Sequence, residues 1–105
     1  MILKKTTSIR IGGTEYAIAD TPDLNNGTNM AYGYIDFEKS RIEITSSIEM
    51  SSARRLETLL HEILHGIIYH RSMTVKNEEE LVDNLAKGAA QVVLDNWNRF
   101  IDQEE

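Results

Sequence analysis

A chain of 105 residues with 41% hydrophobic and 27% charged residues has the length and composition of one globular domain, so residues 1–105 are expected to form a single unit. Cysteine is absent, which excludes disulfides, thiolate metal sites and a cysteine nucleophile, and the formal net charge of -6 argues against a broad electrostatic grip on nucleic acid. No segment has the apolar length of a signal peptide or of a membrane-spanning helix, so we expect a cytoplasmic protein without a membrane partner.

Short alternating segments in the first half predict an antiparallel or mixed sheet. Polar and apolar residues alternate over segments 8–11, 16–19, 32–36 and 41–45. A Gly-Gly pair joins the first two segments as a hairpin, and residues 38–40 form the turn of a second hairpin. Residues 20–29 contain the only proline, Pro22, and an Asn-Gly turn pair, so this segment is predicted to be a loop.

The period of the apolar residues changes after residue 45 and predicts two helices. The first runs from 53 to about 70 and is apolar around most of its circumference, so it should be buried on more than one side. The serines before it are all candidate N-caps, namely Ser46, Ser47, Ser51 and Ser52. A connection over 71–76 leads to a second helix from Asn77 through Val93, and residues 95–105 either extend it or fray.

The middle of the first helix carries the segment His61-Glu62-Ile63-Leu64-His65. Residues four apart lie about 40° from each other around a helix and about 6 Å apart along its axis, so both imidazoles project from one face. Two imidazole nitrogens in this arrangement can bind one Zn²⁺ ion. Glu62 lies on the flank of that face, where it can reach a water molecule on the ion and act as a general base.

The alternative is that these are ordinary polar positions of an amphipathic helix. A solvated face usually carries Lys, Glu, Gln and Arg, whereas this stripe holds titratable and hydrogen-bonding groups on an otherwise apolar helix: Thr58, His61, Glu62, His65 and Tyr69. Such groups need partners when they are buried. We therefore predict a metal site here. Tyr69 can donate to the oxyanion of a transition state, although a tyrosine at a helix end more often packs.

A hydrolytic zinc site needs a third protein ligand, and the acidic start of the second helix offers candidates. Glu80 lies at the start of the polar side of this helix and is expected to face water. Glu79 lies at the start of the core-facing side of the helix, so its carboxylate would be buried unless something pairs with it. Zinc is the natural partner, and we predict Glu79 as the third ligand. Glu78 is the reserve choice, and the alternative for all three is a favourable interaction with the helix dipole. Asp83 can accept a hydrogen bond from the far nitrogen of a liganding histidine.

Two segments together resemble a known family. Residues 58–65 contain a His-Glu-x-x-His motif, and residues 79–86 run Glu-x-x-Val-Asp-x-Leu-Ala. They resemble the small gluzincin-like metallopeptidases of phages and mobile elements, related to the ImmA/IrrE peptidases, in which the second motif runs Glu-x-x-Ala-Asn/Asp-x-Phe-Ala. The resemblance implies that Glu79 is the third zinc ligand and that Asp83 is the family's Asn/Asp, while Val and Leu replace the usual Ala and Phe.

The resemblance covers about residues 32–95 and implies an α+β zincin-like fold, with a small antiparallel or mixed sheet packed on the His-Glu-x-x-His helix and a C-terminal glutamate-bearing helix. It implies a hydrolase, a zinc metalloendopeptidase with one Zn²⁺ per chain. It also makes strand 41–45 the sheet edge on which an extended protein or peptide substrate docks. The rival predictions are a catalytically silent, zinc-stabilised interaction module of a phage or mobile element and a non-proteolytic hydrolase.

Overall fold

The first half of the chain forms a four-stranded mixed sheet. The computed structural model describes residues 7–22, 32–46 and 50–100. Its strands are β1 (Ser8–Ile11), β2 (Thr14–Thr21), β3 (Gly33–Asp36) and β4 (Arg41–Thr45). They lie in the order β1-β2-β4-β3, with β2 and β4 parallel and the outer pairs antiparallel. The predicted sheet is therefore confirmed, and its mixed form is the one adopted.

β2 is longer than the sequence predicted. Asp20 and Thr21 were expected to start a loop, but they pair with Ile44 and Thr45 of β4 and continue the strand. The parallel neighbour supplies the partners that extend β2, and a parallel partner is not visible in the local sequence pattern. Residues 23–29 of the predicted loop lie outside the described residues.

The position of β4 corrects the predicted substrate edge. Strand 41–45 was expected to be the exposed edge of the sheet, but β4 lies between β2 and β3. The reason is that β2 pairs in parallel with β4, which leaves the outer position to the hairpin partner β3. Among the strands that the structure describes, β3 is the edge strand on this side.

Alternation along the strands gives the sheet one apolar face. The side chains of this face form the buried core, which consists of Ile11, Tyr16, Ile35, Ile42 and Ile44. Ile9 and Ile18 are partly buried against this core. The opposite face carries the intervening polar residues, as expected for a sheet with one solvated side. The apolar face packs on the first helix.

Two long helices complete the fold. They are α1 (Ser52–His70) and α2 (Glu78–Asp95), and a short α3 (Trp97–Phe100) follows. Ser51 caps α1, since its Oγ accepts a hydrogen bond from the Arg54 N–H at 3.1 Å, which decides among the candidate serines. Ser47 and residues 101–105 lie outside the described residues.

α1 is the central layer of the molecule. It contacts β1, β3 and β4 on one side and α2 on the other, so the prediction that it is buried on more than one side is confirmed. The core line of α2 consists of Val82, Ala86 and Ala90, whose small side chains allow a close approach. No helix within the described parts of the chain is long and apolar enough to span a membrane.

Candidate metal centre

His61 and His65 lie in the middle of α1 and point to a common place. Their Nε2 atoms are 3.2 Å apart, and both side chains are largely buried. This proximity follows from the helix itself, because residues four apart share one face. The helix therefore presents two imidazole nitrogens side by side.

Glu79 meets both imidazoles from the first turn of α2. Its Oε2 lies 2.8 Å from His61 Nε2 and its Oε1 lies 3.0 Å from His65 Nε2. One donor atom from each of the three residues falls within a 4.8 Å span. Ligands about 2.1 Å from a tetrahedral ion lie about 3.4 Å apart, so the spacing of these three donor atoms is compatible with one bound metal ion. Two nitrogens and one carboxylate oxygen are also a set that a catalytic zinc site uses.

Glu79 is more exposed than the sequence suggested. Its position on the core-facing line of α2 predicted a buried carboxylate unless it was paired, but its side chain is 75% exposed. The first buried residue on this side of α2 is Val82, about one turn after Glu79. Glu79 therefore lies on the solvent side of the histidine pair, and the cluster is open to solvent on that side.

Glu78 has a role that the sequence did not indicate. It was the reserve choice for the third ligand, but its Oε2 lies 2.7 Å from Nδ1 of His65, on the far side of the ring from Glu79. A carboxylate that accepts the Nδ1–H of a histidine leaves the Nε2 lone pair free for a metal. The only sequence signal for this contact was the presence of two consecutive glutamates, which point about 100° apart on a helix.

Asp83 lies behind the other histidine, where the sequence predicted a hydrogen bond to a liganding imidazole. Its Oδ1 is 3.7 Å from His61 Nδ1, which is longer than a hydrogen bond. Its other oxygen accepts a hydrogen bond from Lys87 Nζ at 2.9 Å, and this bond lowers the pKa of Asp83. Asp83 thus faces the site while it is engaged by a lysine of its own helix.

Glu62 is the buried acid of the site, with only 6% of its surface exposed. Burial raises its pKa from 4.5 to about 7, with an opposing effect from His65 and a supporting one from Glu79. A carboxyl group is forced toward its neutral form when it loses water without gaining a counter-charge. In the metal-free site Glu62 therefore holds its proton more tightly than an exposed glutamate does.

Gly33 of β3 allows the sheet to approach this part of α1. A methyl group at Gly33 would lie 2.8 Å from Cγ2 of Thr58 and 3.1 Å from Oε2 of Glu62. Thr58 is itself buried and donates its hydroxyl to the Arg54 carbonyl at 2.9 Å. Any side chain at residue 33 would thus displace the wall beside Glu62.

A cleft runs along α1 between β3 and α2, with the histidine cluster at its middle. One part, of about 400 Å³, contains Glu62 and His61 beside charged side chains at the start of α1, among them Arg54, which stacks over Tyr32 at 4.9 Å. A second part follows β3 from Gly33 to Phe37 beside the cluster. The histidine cluster and the buried Glu62 therefore line an elongated groove.

The aromatic residues at the end of α1 are held by packing. Tyr69 stacks on Phe37 with ring centroids 3.9 Å apart and an angle of 6° between the planes. His70, the last residue of α1, lies 2.6 Å through Nε2 from the Tyr16 hydroxyl. The Tyr69 ring borders a further cavity next to His65, and its role as a transition-state donor stays a prediction.

Comparisons with known protein families, with curated proteins and with solved structures find no significant match to this chain. The resemblance to the phage and mobile-element peptidases consequently rests on the motif residues alone.

Proposed function

We propose that this chain is a zinc metalloendopeptidase with a zincin-like fold, in which His61, His65 and Glu79 hold the ion and Glu62 is the general base. The observation that carries this proposal is the buried Glu62 carboxyl beside three converging donor atoms. A metal that only tied two helices together would need the three ligands. It would not need a neighbouring carboxyl whose ionisation is opposed by burial.

The residues of the site divide the reaction among them. When bound, Zn²⁺ supplies Lewis-acid chemistry that polarises a carbonyl group and lowers the pKa of a bound water molecule. Glu62 accepts a proton from the attacking water on a carboxylate oxygen and then delivers it to the nitrogen of the leaving amine. Glu78 holds the His65 ring through Nδ1, so that Nε2 faces the cluster.

Peptide binding in this proposal uses β3. The backbone of an edge strand offers unpaired N–H and C=O groups to an extended peptide. Gly33, Tyr34 and Ile35 line the same groove as His61 and Glu62. A peptide added to β3 would therefore pass the histidine cluster with its main chain fixed by hydrogen bonds. This edge takes the place of strand 41–45 as the docking strand.

The variant Glu62→Gln tests the proposed chemistry. It keeps the size of the side chain and all three proposed ligands, so zinc content measured on the purified protein should equal that of the wild type. Cleavage of a peptide library should fall by at least about 100-fold, because a positioned base is removed. Glu80→Gln is the matched control, since Glu80 is exposed in the first turn of α2 and should leave both measurements unchanged.

Three outcomes would overturn the proposal. Undiminished cleavage by Glu62→Gln would show that Glu62 is not the base. A wild-type protein that binds one zinc per chain, unfolds at a higher temperature with zinc, and cleaves no member of the library would instead be the zinc-stabilised interaction module. Replacing His61, His65 and Glu79 in turn should remove bound zinc in each case, and retention of zinc by all three variants would exclude this site under either function.

A further inference from the structure

A second cavity adjoins the histidine cluster at the C-terminal end of α1. It is an open depression of about 390 Å³, lined by His65, Ser72 and Glu78 and by four apolar or aromatic residues: Phe37, Ile68, Tyr69 and Met73. The stacked Phe37 and Tyr69 rings form one rigid wall. Met73 is 51% exposed and forms a flexible border. We call this cavity the aromatic pocket.

The aromatic pocket is continuous with the proposed catalytic cleft. His65 and Glu78 line both the pocket and the histidine cluster, and Phe37 lines both the pocket and the groove along β3. A chain lying on β3 and passing the cluster must therefore pass the mouth of this pocket.

The direction of β3 decides which part of a substrate reaches the pocket. β3 runs beside α1 in the same sense, because Gly33 lies at Glu62 whereas Phe37 stacks on Tyr69. Antiparallel pairing is the more stable form of strand addition. A peptide antiparallel to β3 places its N-terminal part at Phe37 and its C-terminal part toward residue 33.

The two ends of the cleft differ in chemistry. The end at the start of α1 holds the charged side chains of Arg54, Glu57 and Lys87, whereas the aromatic pocket offers rings and a thioether. The carboxylate of Glu78 borders the pocket and would repel an acidic side chain. An apolar side chain is the occupant that gains most from these walls, because it exchanges water for apolar contact.

We infer that the aromatic pocket is a specificity subsite that binds a large apolar side chain of the peptide substrate on the N-terminal side of the scissile bond. This inference rests on the proposed peptidase function. Gly33 and Phe37 are four residues apart, about 13 Å at about 3.3 Å per residue. Gly33 lies at Glu62 and Phe37 at Tyr69, so His65 lies between them on α1, and the bound side chain is placed within about three residues of the cleaved bond.

The first experiment measures the cleavage preference of the zinc-loaded protein. Peptides that differ only in having Leu or Ser within the three positions before the cleaved bond should differ in kcat/KM by about 10- to 100-fold at one of these positions. Met73→Lys introduces a charge at the pocket border and should remove most of this preference. Val92→Lys is the matched control, because Val92 is 52% exposed on α2, outside the cleft, and should keep the preference.

The second experiment separates the pocket from the chemistry. N-acetyl tripeptides that end in a hydroxamate bind zinc and fill only the three positions on the N-terminal side. With Leu or Ser at each position in turn, their affinity for the zinc-loaded protein can be measured by calorimetry without any cleavage. At one of these positions the Leu-containing compound should bind at least about 10-fold more tightly than the Ser compound, and Met73→Lys should reduce this ratio.

The outcomes are distinguishable. Cleavage without an apolar preference before the scissile bond, or with the preference after it, overturns the inference and leaves the peptidase proposal standing. Absence of cleavage together with a Leu preference in hydroxamate binding supports the pocket and overturns the peptidase proposal. Equal binding of the Leu and Ser hydroxamates, or the same loss of preference in Val92→Lys as in Met73→Lys, refutes the pocket as a subsite.

Discussion

Replacing Glu62 by Gln is expected to stabilise the metal-free protein at alkaline pH while it abolishes peptide cleavage. The carboxyl is 6% exposed, and burial raises its pKa from 4.5 to about 7. Because the pKa is raised in the folded state, the stabilising contribution of the protonated group is complete below pH 4.5. It is lost as the pH rises through 7. The difference between the two pKa values corresponds to about 3 kcal/mol of unfolding free energy.

Urea unfolding in the presence of a chelator measures this contribution. The free energy of unfolding of Glu62→Gln minus that of the wild type should increase by about 3 kcal/mol between pH 4.5 and pH 8.5, with the denaturant slope unchanged. Glu80→Gln removes an exposed carboxylate and should show no comparable increase. A difference between Glu62→Gln and the wild type that does not grow with pH would show that the ionised carboxylate is accommodated without cost, and the burial argument would fail.

The other substitutions change a residue that contacts a proposed ligand and two glycines in β3 and α2. Glu78→Gln should weaken zinc binding about 10- to 100-fold in competition with a chelator, because His65 loses the charged acceptor of its Nδ1–H. Glu80→Gln should leave zinc binding unchanged. Equal losses of affinity in the two variants would contradict the proposal that Glu78 orients His65. Gly33→Ala should lower both kcat/KM and the unfolding midpoint, since its methyl would collide with α1, and unchanged values would refute the close approach. Gly88→Ala should raise the free energy of unfolding by about 1 kcal/mol, because its methyl meets open space within α2, and a loss of stability in urea would contradict this.

The secondary structure could be predicted closely because both periodicities are strong. Strands 8–11 and 41–45 match the predicted bounds, and α1 begins one residue before the predicted start. Their local patterns agree with their burial in the fold, which is the condition for a reliable prediction. The helix cap could not be chosen from the sequence, because several serines precede α1 and only the backbone geometry selects Ser51.

The order of the strands was beyond local reasoning. Hairpin signals predict that β1 joins β2 and that β3 joins β4, and both pairings are present. These signals do not predict which strand of the first hairpin pairs with which strand of the second. The structure joins them through a parallel pairing of β2 with β4, so the predicted edge strand 41–45 became an inner strand. A choice of this kind depends on how both hairpins bury their apolar faces against one helix.

The candidate site was predictable where one helix determines it. His61 and His65 converge because their spacing places them on one face, whatever the rest of the chain does. Glu79 belongs to another helix, α2. The sequence predicted the side of α2 on which Glu79 lies, but it did not predict that the side chain would be exposed. The contact of Glu78 with His65 depends on the rotation of α2 about its axis, which no sequence period specifies.

That rotation is set by the short connection between the helices. The Met73 N–H bonds to the Ile68 carbonyl at 3.0 Å, and Asn77 adopts a left-handed conformation with φ of 56° immediately before α2. These features fix where α2 starts, and each residue of a helix turns its side chain by about 100°. With this start, two consecutive carboxylates reach opposite nitrogens of one imidazole, one at Nε2 and one at Nδ1. The connection therefore determines which acid faces the cluster and which acid orients the histidine.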